Sequence, residues 1–125
     1  IFVGIVDEIA RPGAADPARV VPRLMAYGRA LDFAGRWALA SELYTAVLSF
    51  VDPTIDSDLA IGAQFRLAYC QRVLGRLDEA ERAYAAAGHL SRAARDEIGA
   101  LRSEVGIGKV AMARGNVPAA ERAFD

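Results

Sequence analysis

The 125-residue chain contains one cysteine, one histidine and one lysine. A lone Cys70 excludes an internal disulfide and any zinc site built from several thiolates. A lone His89 excludes a histidine-based metal site or a histidine pair within one chain, because histidine works through positioned partners. Its plain reading is a loop or interface residue. With Lys109 the sole lysine, positive charge is carried by arginine, a bias that fits a GC-rich bacterial genome. The formal net charge is −1, so no overall field draws the chain to nucleic acid or to an anionic membrane. The most apolar run, Ile1 to Val6, is far shorter than the ~18–20 residues of a membrane helix. It also lacks the basic start of a signal peptide. A reducing, cytoplasmic setting is therefore expected. No phosphate-binding glycine loop, nucleophile elbow or paired-ligand motif is found. Gly106-Ile107-Gly108 falls in a helical stretch with no strand before it and is not a dinucleotide fingerprint. The expectation is a chain that is not an enzyme, with no catalytic residues, cofactor or metal.

What is present is apolar content, at 54%, much of it alanine. That suits closely packed helices and argues against disorder. The length fits one domain with a continuous core. One outline recurs every 40 residues. Gly35, Gly75 and Gly115 each mark a turn; Ala40, Ala80 and Ala120 follow; Tyr44, Tyr84 and Phe124 come four residues later. A fixed period of this size is the signature of a stacked repeat.

In chain order, Phe2, Ile5, Val6 and Ile9 share a helical face, so Ile1 to Ala10 reads as a short helix. Its dense β-branched residues make a strand the rival. Residues 11–16 read as a linker, with Asp16 as N-cap and Pro17 at the first helical position. Helices are expected from Pro17 to Phe33 and from Trp37 to Val51. Asp52 to Asp56 forms a connector in which Pro53 forces the stop. Further helices are expected from Asp56 or Ser57 to about Leu74 and from Leu77 to about Ala87. Gly88-His89-Leu90-Ser91 reads as a looser join, followed by a long helix from about Arg92 or Ala94 to Ala113. The division is a segment 1–16, which fits the remnant of a preceding unit, and a repeat domain 17–125 with units at about 17–56, 57–91 and 92–125. A chain that begins at Ile1 and stops at Asp125, two turns into the third copy, reads as a piece of a longer protein.

The glycines take positive φ where a first helix ends. Gly28, Ala68 and Gly108, seven residues earlier, let the partner helix approach closely. These residues resemble the tetratricopeptide-repeat family. Its first-helix pattern is matched by Leu24, Tyr27-Gly28 and Leu31, by Gln64, Leu67-Ala68 and Gln71, and by Glu104, Ile107-Gly108 and Ala111. The family period is 34, so the resemblance is to a longer, 40-residue variant, and other helical-hairpin repeats of ~40–47 residues stay open. The resemblance implies an all-α fold, a right-handed solenoid of antiparallel helical hairpins, whose first helices line a concave, ligand-binding face.

A second stripe on those first helices then forms the candidate binding surface. It carries Met25, Arg29 and Phe33, then Phe65, Tyr69 and Arg72, then Arg102, Val105, Lys109 and Met112. The stripe offers aromatic, methionine and cationic groups and no carboxylate. That suits a protein or peptide partner with acidic and apolar side chains. The expected function is a protein–protein interaction scaffold. Alternatives are a self-association module that forms homo-oligomers through exposed repeat ends, or a sensory or regulatory segment of a larger bacterial signalling or transcription protein.

Overall fold

The computed structural model describes residues 16–115, so the expectations for residues 1–15 and for Asn116 to Asp125 lie outside the described residues. The described residues are all-helical, with no strand among them. Five helices follow one another: α1 (Pro17–Phe33), α2 (Trp37–Phe50), α3 (Ser57–Val73), α4 (Leu77–Ala93) and α5 (Glu97–Ala113). Their first residues are 17, 37, 57, 77 and 97. The 40-residue repeat is thus two beats of 20, a helix opening on each beat.

Local chemistry sets that beat. Asp16, Asp56 and Asp96 stand one residue before α1, α3 and α5, and each carboxylate accepts a hydrogen bond from a first-turn N–H: Ala18, Leu59 and Gly99. Such a cap satisfies a backbone donor that the helix itself leaves unpaired. α2 and α4 open without a side-chain cap because they leave a tight turn directly. In that turn the chain reverses in three residues. The N–H of Arg36 donates to the Leu31 carbonyl and that of Arg76 to the Gln71 carbonyl. Gly35 and Gly75 supply the left-handed residue at φ +77° and +79°, a conformation in which a Cβ would crowd the following carbonyl.

The join expected at Gly88 to Ser91 is not there: these residues are helical, within α4, which runs on to Ala93. The turn lies at Ala94-Arg95-Asp96, with the same geometry as the glycine turns. The Asp96 N–H donates to the Ser91 carbonyl, and Arg95 takes the left-handed position at φ 59°. Gly88 is a packing surface instead. A Cβ there would lie 2.8 Å from the Ser103 Cβ on α5, so the missing side chain lets the two helices close.

Each helix packs against the next in sequence, and α3 also touches α5. The α4–α5 contacts run antiparallel: Tyr84 meets Gly106, Gly88 meets Ser103 and Ser91 meets Gly99. The core falls into two clusters. Val21, Leu24, Leu31, Leu43, Tyr44 and Val47 fill the first, with Cys70. Ile61, Phe65, Ala68, Ala80, Ala83, Tyr84, Ala87 and Val110 fill the second. Ala40 and Ala80 are fully buried, the flat spots their repeat position predicts. Gly28 has the matching role, since a Cβ on it would lie 2.8 Å from Cε1 of Tyr44.

A carboxylate-free cleft between α3 and α5

α3 and α5 open 40 residues apart, at Ser57 and Glu97. They are separated in sequence by α4, and their facing stripes leave a cleft of about 580 Å³. Six of the expected residues line it: Phe65, Tyr69 and Arg72 from α3, and Arg102, Val105 and Lys109 from α5. Helical spacing explains the gathering, since 65, 69 and 72, like 102, 105 and 109, recur at intervals of three and four and share one face. Among the described residues the lining includes no carboxylate.

The floor is aromatic and the walls are cationic. Phe65 and Tyr84 are buried, their ring centroids 6.4 Å apart with planes inclined at 55°. The Arg102 guanidinium carbon lies 4.3 Å from the centre of the Phe65 ring. That of Arg72 lies 5.4 Å from the centre of Tyr69, while its Nε donates to the Tyr84 hydroxyl at 3.4 Å. Guanidinium over an aromatic face is attractive through the ring quadrupole, so both arginines are positioned without a carboxylate partner among the described residues.

The remaining expected residues are placed elsewhere. Arg29 and Phe33 belong to a second hollow of about 540 Å³ between α1 and α3, shared with Asp32, Trp37, Arg66 and Tyr69. Met25 is not on an open stripe: it is buried in the first core cluster, where its unbranched chain fills space beside Leu24 and Val21. It borders a third hollow with Arg29, Asp56 and Asp58. Met112 is exposed and lines none of these three. Among the described residues no carboxylate lines the α3–α5 cleft, whereas Asp32, Asp56 and Asp58 line the hollows between α1 and α3.

Four lining residues lie outside the expected stripe: Gly62, Arg66, Tyr84 and Gly106. Arg66 lines all three hollows and reaches the largely buried Asp32 carboxylate at 3.6 Å. Asp32 also accepts from the Tyr44 hydroxyl at 3.4 Å. Burial, with the nearby Asp32 charge second, holds the Tyr44 hydroxyl well above the usual tyrosine range. Position 66 is three before Tyr69, a spacing that could have flagged it. Gly106 lines the cleft because Tyr84 packs where its side chain would be.

Among the described residues no group of three or more histidine, cysteine, aspartate or glutamate side chains is placed to hold a metal ion. None of the helices described is long and apolar enough to cross a membrane. No family model, curated protein or solved structure matches the chain.

Proposed function

We propose that the chain is a tetratricopeptide-like solenoid of helical hairpins and serves as a protein–protein interaction module. A partner segment with acidic and apolar side chains would lie along the faces of α1, α3 and α5. The observation that carries this reading is the α3–α5 cleft: cations and aromatic rings line it, and among the described residues no carboxylate does. Tyr69 and Val105, both partly exposed, provide apolar anchoring surface above the buried Phe65 ring, and the cations steer and register an acidic ligand. Anisotropy titrations with labelled peptides of alternating Glu and Leu, against matched Lys and Leu peptides, test the proposal. Binding of the acidic series alone is expected, with loss in the R29E/R72E/K109E variant while its helical circular dichroism is unchanged. Undiminished binding by that variant would move the site elsewhere.

Self-association is the second reading, and one observation favours it. Ile98, Leu101 and Met112 form an open apolar stripe on α5, 73%, 61% and 57% exposed. Ile61, the position 40 residues before Leu101, is buried against α4. An open surface of this kind on α5 is suited to receiving another helix. Light scattering across a concentration series tests it; a constant monomer mass removes the reading.

A further inference from the structure

The cations of the α3–α5 cleft differ in how they are compensated. Arg66 has the Asp32 carboxylate at 3.6 Å. Arg72, Arg102 and Lys109 have no ion pair among the described residues. Two of these three are nevertheless fixed in place, Arg102 by the Phe65 ring and Arg72 by Tyr69 and the Tyr84 hydroxyl. An arginine held by an aromatic face keeps its in-plane N–H donors available, and that planar fork matches an oxyanion with two or more oxygens. The ordering cost of binding is then reduced, because the donors are positioned before the ligand arrives.

Three uncompensated positive charges exceed what one carboxylate can neutralise. A phosphoryl group carries about −1.5 to −2 at neutral pH and three strong acceptor oxygens. Its charge and acceptor number fit three cationic side chains better than a single acidic residue does. We infer that the cleft formed by Arg72, Arg102 and Lys109 takes the phosphate of a phosphorylated side chain on a partner peptide. The inference rests on the reading of this cleft as the partner-binding surface. The peptide around the phosphate would lie against Tyr69 and Val105, both about two-fifths exposed at 39% and 40%. This gives the site a regulatory consequence: the partner is captured after a kinase-type transfer and released after hydrolysis of the phosphoester.

The test uses labelled peptides with randomised flanks and one fixed central residue, phosphoserine, serine or glutamate, titrated against the 125-residue protein. The phosphoserine set is expected to bind roughly tenfold tighter than the glutamate set, as added charge-assisted hydrogen bonds would give. Its advantage should be lost in R72Q and in R102Q, with the helical circular dichroism and cooperative unfolding of both variants retained. Lys109→Met should weaken it without abolishing it, since lysine acts as a point charge rather than a fork. Equal binding of the three sets would overturn the inference. If that equal binding still depended on Arg72 and Lys109, the interaction-module reading would stand alone; if no set bound, both would fall. Inorganic phosphate binding as tightly as the phosphopeptide, or a single-stranded oligoribonucleotide binding more tightly, would also overturn it.

Discussion

Tyr84 of α4 packs flat into the gap that Gly106 leaves on α5, its ring occupying the space where a Cβ would stand. The same tyrosine accepts a hydrogen bond from Arg72 through its hydroxyl and from Ser103 Oγ through its backbone carbonyl, the latter at 2.7 Å. One aromatic side chain therefore joins α3, α4 and α5 beneath the cleft. Gly106→Ala should cost about 1–3 kcal/mol, the usual penalty of overpacking a closed contact, and should widen the cleft by displacing Tyr84. Gly62→Ala should do the opposite. Among the described residues, nothing beyond the adjoining backbone of α3 lies within 4 Å of a Cβ at Gly62, so alanine there should add about 0.5–1 kcal/mol of helix stability. Urea unfolding followed by the fluorescence of Trp37, the only tryptophan, measures both; equal signs would refute the packing account.

The turn at Arg95 yields a prediction from backbone geometry alone. Gly35, Gly75 and Gly115 hold φ between 77° and 79°, and Arg95 holds 59° in an equivalent turn. A left-handed non-glycine residue costs roughly 1–2 kcal/mol. Arg95→Gly should therefore raise stability, by less than that range because glycine also gains freedom in the unfolded chain. Gly75→Ala should lower it. Both are read from the midpoint of denaturant unfolding.

Much of this fold is legible in the 40-residue period, and the parts that are not have physical causes. The caps at Asp16 and Asp56 and the turns at Gly35 and Gly75 use residues whose conformational preferences announce them. The turn at Arg95 escapes notice because arginine is a good helix former and gives no sign that it will adopt positive φ. Gly88 misleads in the other direction, since the mark of a breaker is identical to that of a close helix contact. The stripe at Phe65, Tyr69, Arg72, Arg102, Val105 and Lys109 is legible because one helical face is set by spacing. Met25 is not, because which of two adjacent stripes is buried depends on how neighbouring helices cross. Burial likewise distinguishes Ile61 from Leu101, although the two hold the same place in the repeat.

Ser91 offers a stabilising substitution. Its hydroxyl is buried on α4 with no hydrogen-bond partner among the described residues, and it faces Gly99 across the α4–α5 contact. A buried unsatisfied hydroxyl costs about 1–3 kcal/mol. Ser91→Ala removes that cost and keeps the small size the contact needs. The variant should unfold at higher urea with an unchanged dependence on denaturant. Ser103→Ala is the control that should destabilise, because its hydroxyl donates to Tyr84.

Cys70 sets the response to alkaline pH. It is fully buried in the first cluster; burial, with the Asp32 charge second, pushes its thiol up to about 12 from an ordinary 9.0. Below pH 9 the thiol is protonated in both the folded and unfolded chain, so its contribution does not change. Above pH 9 the unfolded chain ionises first and the folded chain resists, so stability falls as the pH climbs towards 12. The fall attributable to one group approaches about 1.4 kcal/mol per pH unit. Tyr44, also held up by burial, adds a second fall that begins near its ordinary value of 10.0. Cys70→Ala should therefore abolish the loss between pH 9 and 10 and leave the later one in place. The native thiol should react with a disulfide reagent at pH 8 only as fast as the protein unfolds, and at once in concentrated urea. Rapid labelling of the folded protein would show that Cys70 is open to solvent and remove the basis for the alkaline transition.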